Sequence, residues 1–411
     1  MPGQSCRCSN SMNPELNKLQ PYPFQKLAAL FREVTPNPAY RAISLHIGEP
    51  KHATPQFIKD ALTANLDGLA NYPTTAGGDS LRGAISQWLA QRYGIPAPDA
   101  KTQILPVNGS REALFSFAQA VVDRTRSNPA VICPNPFYQI YEGAALLAGA
   151  TPCFINTLPD NNYALNFDQL PQDVWQRTQL IYVCSPGNPT GRVLPLSEWK
   201  ALFELADRYG FIIASDECYS EIYFETPPLG ALQAAQQLGR GDYKNLVVFS
   251  SLSKRSNVPG MRSGFVAGDA KVLEKFTLYR TYHGCAMNPA IQAASAAAWQ
   301  DEEHVAKNRR LYAEKFSHVI EILKPVLPVI LPDASFYLWL RVPVADTPFA
   351  QHLHRDYNVS VLPGSFLARE ARGTNPGAGF VRIALVAELE ETVEAAQRIA
   401  EFSRQLLAVG R

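Results

Sequence analysis

The sequence predicts an α/β fold: a mostly parallel sheet flanked by helices, followed by a smaller α+β unit. Three observations carry this. Between residues 104 and 268, short apolar runs alternate with amphipathic stretches of ~10–15 residues, the pattern of βαβ units. Small and polar residues cluster at the carboxyl ends of those runs, which is where open α/β sheets bind ligands. The chain has 411 residues, more than one simple core accommodates. The expected division is a disordered extension over residues 1–12, then an arm over 13–47 that joins the small unit. A large cofactor-holding unit over 48–288 follows, and an interdomain helix with the small unit occupies 289–411.

Apolar residues make up 46% and charged residues 18%, an ordinary globular balance. Net charge is +1, so the basic excess of a nucleic-acid or membrane binder is missing. No apolar stretch reaches the ~18 residues of a membrane span. The first eleven residues lack the apolar core of a signal peptide. They are small and polar, and Met12 has the look of a natural start. The seven cysteines are scattered and odd in number, which fits free thiols in a reducing cytoplasm. Cys6-x-Cys8 has no second cysteine or histidine pair nearby and His352-x-His354 reads as a helix surface, so no metal site is expected.

Five prolines break up residues 13–47 and leave room for one short helix, 24–33, with Leu27, Leu30 and Phe31 on one face. Tyr22 and Phe24 are large aromatics on an otherwise extended segment, suited to packing or to a lid over a pocket. A short strand, 43–47, ends in Gly48-Glu49-Pro50, where glycine permits close backbone approach. Helix 54–66, a turn-rich loop over 71–78 containing Tyr72, and helix 80–93 follow. Strand 104–107 runs through Asn108-Gly109-Ser110 into helix 111–122. Free N–H groups and the positive helix end make that turn an anion site. Next come strand 130–133, a proline-rich turn to Tyr138, helix 138–148 and strand 151–156. Strand 180–184 opens into Ser185-Pro186-Gly187-Asn188-Pro189-Thr190-Gly191. Helix 197–209 stops at Gly210, and strand 211–215 ends on Asp216-Glu217-Cys218-Tyr219.

After strand 264–268 the texture changes. Helix 270–279 and a loop lead to a long helical run from Pro289 to about Leu323, suited to bridging two units. Strands 336–341 and 380–385, with helices 347–357 and 389–406, complete the small unit.

Everything is organised around residues 247–269. A buried strand (Val247, Val248, Phe249) turns through Ser250, Ser251 and Ser253 onto Lys254, and Arg262 follows. A lysine directly after a buried strand is poorly placed as a surface charge. It is well placed to have its pKa lowered and to act as a nucleophilic amine. Hydroxyls and one planar cation are what a phosphate needs. A lysine beside a phosphate site points to a Schiff base with pyridoxal 5′-phosphate (PLP). PLP chemistry also needs an acid at the pyridine nitrogen, donors to the phenolic oxygen and an aromatic face. Asp216, then Asn188 and Tyr219, then Tyr138 supply these at strand ends. Gly109, Ser110, Ser251, Ser253 and Arg262 can hold the phosphate. Taken singly, Asp216 also suits a turn cap, Asn188 an Asx-turn and Tyr138 the core.

The motifs Ser185-Pro-Gly-Asn-Pro-Thr-Gly191, Asp216-x-x-Tyr219, Ser251-x-Ser-Lys254 and Arg262, in this order, resemble the class I/II aminotransferases, fold-type I PLP enzymes. The resemblance runs from about Met12 to the end of the chain. It implies a sheet of about seven strands and a cytoplasmic homodimer with shared active sites. Lys254 is then the Schiff-base lysine and proton shuttle, Asp216 the pyridinium partner, and Asn188 and Tyr219 the donors at the phenolic oxygen. The backbone at Ser110–Arg111, with Ser251 and Arg262, holds the phosphate, and Tyr72 reaches the phosphate of the neighbouring subunit. Arg382 binds the substrate α-carboxylate as a bidentate fork, with Gly48 and Tyr22 on the substrate side.

A closer likeness, carried by residues 252–269, the opening NPELNKLQPYPFQKL and SFYLWL at 335–340, is to the bacterial succinyldiaminopimelate aminotransferases. It implies ping-pong transamination between glutamate and an N-succinylated diaminopimelate, and a second cation for the extra carboxylates. Arg41, Arg111, Arg255 and Arg280 are the candidates. The alternatives are an alanine, aspartate or kynurenine aminotransferase, or a C–S β-lyase of the same fold. A PLP-sensing transcription regulator is the remote one, since the ~40 residues before the first motif leave too little room for a winged helix and linker.

Overall fold

The structure, a computed structural model, describes residues 12–409. The expected disordered extension therefore lies, apart from Met12, outside the described residues, as does Cys6-x-Cys8. Strand β1 (Ile43–Ser44) stands apart from the main sheet. That sheet holds β2 (Ile104–Val107), β3 (Ala130–Asn135), β4 (Thr151–Asn156), β5 (Thr178–Cys184), β6 (Ile212–Asp216), β7 (Leu246–Ser251) and β8 (Gly264–Gly268), in the order β2-β8-β7-β6-β5-β3-β4. Only the pairs made by β8 are antiparallel. Six strands thus share one direction and β8 opposes them, as the mostly parallel expectation requires.

The strands are apolar almost throughout because both faces are covered. Val131, Leu180 and Ala214 enter one core with helices Ser110–Val121, Ile140–Leu147 and Ala270–His283. Their neighbours Ile132, Ile181 and Ile213 enter the other, with helices Asp79–Tyr93, Leu196–Tyr209 and Pro289–Gln300. This is the two-residue period of a strand sorted onto two faces. One functional consequence follows from the topology. The carboxyl ends of β2, β5, β6 and β7 and the amino end of β8 lie along one edge, so Lys254, Asp216, Asn188, Ser110 and Arg262 are delivered to the same side.

A second core surrounds β9 (Tyr337–Arg341), β11 (Leu362–Pro363) and β12 (Phe380–Ala384), an antiparallel sheet in the order β11-β12-β9. Between them in sequence, β10 (Val359–Ser360) pairs in parallel with β1. Phe316, Leu340, Phe349, Ile383 and Ile399 fill this core, and Ile43 and Leu45 from the arm join it.

The structure departs from expectation in three places. The long run from Pro289 is two helices, Pro289–Gln300 and Glu303–Leu323, broken at an extended Asp301. Asp301 caps the second helix by accepting from the His304 N–H at 3.0 Å. Buried Arg255 takes the carbonyls freed at the break, Ala298 O at 2.6 Å and Asp301 O at 3.2 Å. The strand at 43–47 is only two residues long. Three short helices, Gln172–Arg177, Ala231–Gln237 and Leu252–Arg255, and the two-residue strands β10 and β11 were not anticipated, being too brief for a period to show. No helix among the described residues is long and apolar enough to cross a membrane.

Candidate active site

A cavity of about 570 Å³ opens at the strand edge. Lys254 reaches it from a four-residue helix, Leu252–Arg255, directly after β7. Ser251 caps that helix by accepting from the Ser253 N–H at 3.1 Å. The Lys254 Nζ donates to the Gly48 carbonyl at 2.5 Å and lies 5.4 Å from the Phe336 ring centroid. Burial, aided by the charges of Arg382 and Arg111, lowers its pKa from 10.5 to about 8.

Asp216 ends β6 and is 4% exposed. Its Oδ2 accepts from the Tyr141 hydroxyl at 2.7 Å and its Oδ1 from the Cys218 N–H at 3.2 Å. Burial pushes its carboxyl above the ordinary range, and these hydrogen bonds pull it back. No cationic side chain among the described residues bonds to it.

Arg382, from the centre of β12, is 4% exposed. One Nη donates to Asn188 Oδ1 at 3.0 Å and the other to the His46 carbonyl at 2.9 Å. Its guanidinium carbon lies 4.2 Å from the Tyr337 ring centroid, and its buried Nε–H has no partner among the described residues. Tyr219 donates to the Tyr337 hydroxyl at 3.2 Å. His46 is held near pKa 4 by burial and by the Arg382 charge, so it adds no positive charge here.

Gly109 has φ +86°, and a Cβ there would collide with the Arg262 guanidinium. Only glycine lets that turn close on the arginine. Arg262 is itself left-handed, φ +54°, and its Nη1 donates to the Pro259 carbonyl at 2.9 Å. Ser251 donates to the Ser253 hydroxyl at 2.9 Å, and Ser110 accepts from the Cys218 thiol at 3.0 Å. A Cβ on Gly48 would collide with the Tyr337 hydroxyl.

The cavity is thus lined by thirteen of the fifteen residues singled out from sequence: Tyr22, Gly48, Ser110, Arg111, Tyr138, Asn188, Asp216, Tyr219, Ser251, Ser253, Lys254, Arg262 and Arg382. Gly109 lies just behind Arg262. Tyr72 does not line it, and stands fully exposed on its loop.

Of the four candidate second cations, Arg111 alone lines the cavity; its Nε donates to the Tyr138 hydroxyl at 2.6 Å. Arg41 is tied to Glu394 and Glu391 at the surface. Arg255 is buried against Glu302, and Arg280 against Glu112. Glu112, His283 and Cys285 lie close enough together to hold a metal ion, apart from the cavity, but Arg280 already engages the glutamate.

Sequence reasoning missed Glu49, Cys218 and Tyr337 as lining residues. Each sits beside a residue that was singled out, or inside a quoted motif, and adjacency was the only signal.

A lysine of lowered pKa, a buried acid, a phosphate-type cradle and a carboxylate-type fork on this sheet define a fold-type I, PLP-dependent enzyme. A family model for aminotransferase class I and II matches residues 40–399. A solved aminotransferase structure from Neisseria meningitidis Z2491 superposes with a TM-score of 0.93 at 55% identity, covering 96% of this chain and 100% of that one. The LL-diaminopimelate aminotransferase of Aquifex aeolicus is 32% identical over 93% of this chain and 97% of its own length. A solved structure of a probable N-succinyldiaminopimelate aminotransferase from Thermus thermophilus gives a TM-score of 0.81 at 27% identity, covering 92% of this chain and 100% of that one. The chain belongs to the class I and II aminotransferases.

The residues fit PLP. Asp216 is a buried carboxylate with no cation bonded to it among the described residues, which suits a pyridinium N–H. The Ser110 N-terminal turn, Ser251, Ser253 and Arg262 form a cradle of neutral donors and one cation for a phosphate dianion.

Proposed function

We propose that the enzyme moves an amino group between glutamate and N-succinyl-2-amino-6-oxopimelate, giving N-succinyl-LL-2,6-diaminopimelate and 2-oxoglutarate. One observation carries this: besides Arg262 in the phosphate cradle, two arginines face the same cavity, and neither has an acidic partner among the described residues. Arg382 suits the carboxylate beside the reacting amine. Arg111, near Tyr22 and Tyr138, suits a carboxylate further out. The names of the diaminopimelate aminotransferases described above support the same substrate class.

A second reading is unmasked LL-diaminopimelate, the substrate named for the Aquifex relative. It favours an acid for the distal ammonium, and Glu49 lines the cavity. Glu49 already pairs with Lys51 at 3.0 Å, however, and the remaining charged groups on the substrate side are cationic. A succinyl amide removes that ammonium and adds a carboxylate, which matches the cavity better.

PLP, when bound, supplies the aldehyde that takes up the amino group and the pyridinium that withdraws electrons from Cα. Arg382 orients the α-carboxylate, itself steered by Asn188 and the His46 carbonyl. Asp216 would accept from the pyridinium N–H and so keep that nitrogen protonated. Asn188 and Tyr219 would donate to the phenolic oxygen, Tyr219 by turning its hydroxyl proton from Tyr337, and Tyr138 would flank the ring. Lys254 Nζ, whose lowered pKa raises the fraction of free amine near neutral pH, takes the proton from substrate Cα and returns it on the far side of the transfer. Tyr22 and Phe24, their ring centroids 5.6 Å apart, line the cavity from the arm.

The same proposal includes a homodimer. Leu66, Leu69 and Tyr72 are exposed on one stretch of chain, which supports a contact surface for a second copy, with Tyr72 proposed to serve that copy's phosphate site. It also includes a working place in the cytoplasm, where the described cysteines, all free, stay reduced. The division between the two units is proposed at Asp301, because helix Pro289–Gln300 packs into the core of the seven-stranded sheet.

The test is a single-turnover screen of the PLP enzyme with glutamate, N-succinyl-LL-diaminopimelate, LL-diaminopimelate, aspartate, alanine and kynurenine, following conversion to pyridoxamine absorbance. Fast conversion with glutamate and the succinylated amine alone supports the proposal. Fast conversion with LL-diaminopimelate and none with the succinylated amine supports the second reading. Fast conversion only with alanine, aspartate or kynurenine discards both.

A further inference from the structure

Behind the cavity wall, four buried polar side chains form a directed chain that ends on the backbone of Lys254. Lys315 and Asn308 lie seven residues apart, on one face of helix Glu303–Leu323. Lys315 Nζ is 2.6 Å from His52 Nε2, and His52 Nδ1 is 2.7 Å from Asn308 Oδ1. The same oxygen accepts from Asn257 Nδ2 at 3.1 Å, and Asn308 Nδ2 donates to the Lys254 carbonyl at 3.3 Å. Exposure is 2% for Lys315, 9% for His52, 4% for Asn308 and 7% for Asn257.

The direction of the chain follows from which groups can donate. An ammonium only donates, so His52 Nε2 must accept and the ring proton sits on Nδ1. Nδ1–H needs an acceptor, so Asn308 presents Oδ1 to it. The amide then has its Nδ2 left for the Lys254 carbonyl. With the other tautomer, Asn308 would turn its amide over, and its oxygen would face the carbonyl of Lys254 instead. Lys315 is therefore the group that sets the order.

The segment that carries His52 also carries Gly48, whose carbonyl accepts from Lys254 Nζ. Lys254 is thus held at its amine by Gly48 and at its backbone by Asn308, and His52 joins the two supports. The helix bearing Lys315 and Asn308 also sends Phe316 and Val319 into the second core.

Nothing in the catalytic scheme uses Lys315. Among the described residues it makes no ion pair. Glu388, exposed at the start of the last helix, is the carboxylate whose charge acts on it and on His52. Tyr312 lies beside both, its ring tilted against that of His52 at 4.7 Å and 5.2 Å from Lys315 Nζ. Burying a lysine without a counter-ion is costly, and burial lowers its pKa to about 8. An apolar residue would serve packing alone at lower cost.

We propose that Lys315 is a positioning residue for transamination: through the tautomer of His52 and the orientation of Asn308 it sets how the backbone of Lys254 is held. The proposal rests on the reading of Lys254 as the amine that binds PLP.

The experiment uses the holoenzyme and Lys315→Met, which keeps the volume and removes the donor. The expected result is a kcat lower by ~10-fold, the scale for a small misplacement of a reacting group. KM for glutamate should stay within ~2-fold, since no substrate contact is lost. The pH midpoint at which the visible absorbance of lysine-bound PLP titrates should move, which a loss of packing would not cause. In an Asn308→Ala background, Lys315→Met should change kcat by less than ~2-fold, because the chain is already cut. His52→Phe cuts the same chain at its middle and serves if the methionine variant does not accumulate. Wild-type kcat with an unmoved midpoint, or fully additive losses in the double variant, overturns the proposal. Lys254→Ala separates the two levels. If it keeps the visible absorbance, the reading of Lys254 falls and takes this proposal with it. If it loses the absorbance while Lys315→Met is silent, only the role of Lys315 falls.

Discussion

Substituting Arg111 by glutamine tests the substrate assignment at its narrowest point. Arg111 spends its Nε–H on the Tyr138 hydroxyl and has four N–H groups left on its two terminal nitrogens. It makes no ion pair among the described residues, and its guanidinium carbon lies 6.0 Å from the Tyr22 ring and 5.8 Å from the Tyr138 ring. A carboxylate at the far end of the substrate gains a charge-assisted contact there. The site lies near the open mouth of the cavity, so solvent screening holds the contact to ~1.5 kcal/mol. That corresponds to ~10-fold in kcat/KM. The contact is made equally before and during proton transfer, so the loss should fall on KM and leave kcat unchanged. Alanine has no distal carboxylate and should react as it does with the wild-type enzyme. The assay is stopped-flow conversion of the PLP form with N-succinyl-LL-diaminopimelate and with alanine. Arg382→Lys is the control, since it should slow both amines by ~10–100-fold by replacing a planar fork with a point charge. Equal losses on both amines with Arg111→Gln would show that Arg111 acts on the cofactor rather than on the distal group. No loss on either would remove it from the site.

The remaining predictions concern the cofactor. Lys254→Ala should lose the visible absorbance of bound PLP and nearly all turnover; retained wild-type activity would end its assignment. The same amine gives a pH dependence. Burial lowers its pKa from 10.5 to about 8, so between these values the unfolded chain holds a proton that the folded apoenzyme does not. The contribution of Lys254 to apoenzyme stability therefore rises with pH across that window. PLP uptake by apoenzyme should speed up with pH and level off above about 8, and a flat profile would contradict the lowered pKa. Asp216→Ala should bind PLP weakly and lose roughly 100-fold or more in kcat, the scale for removing a group aimed at developing charge; an unchanged kcat would exclude the pyridinium role. Tyr72→Phe should raise the Kd for PLP ~10-fold by removing one hydrogen bond to a charged group. An unchanged Kd would mean that Tyr72 does not reach a phosphate.

The cofactor side of the site was legible because its residues follow strands. Lys254 comes three residues after β7, Asp216 is the last residue of β6, and Ser110 starts a helix after β2. A two-residue period and a polar turn are local signals, and a parallel sheet brings all such turns to one edge. The substrate side was legible only in part, because it is assembled across the chain. Arg41, Arg111, Arg255 and Arg280 are equal in sequence. They part company only through distant partners: Glu394, Tyr138, Glu302 and Glu112. Three of these arginines are consumed in holding the fold together, and the fourth donates to a neutral hydroxyl, which leaves its charge unpaired among the described residues.

Partners distant in sequence also decide the break at Asp301. Composition favours one continuous helix through Gln300 and Glu302, and tertiary contact overrides it. Arg255, next to Lys254, stabilises the break by taking the Ala298 and Asp301 carbonyls. One turn later the new helix presents Asn308 to the Lys254 carbonyl. An unbroken helix would rotate the residues beyond Asp301 by a different phase and carry Asn308 and Lys315 off that face. The departure from local propensity therefore falls where the second core meets Lys254, and it is Arg255, bonded to the break, and Asn308, just beyond it, that tie Lys254 to both.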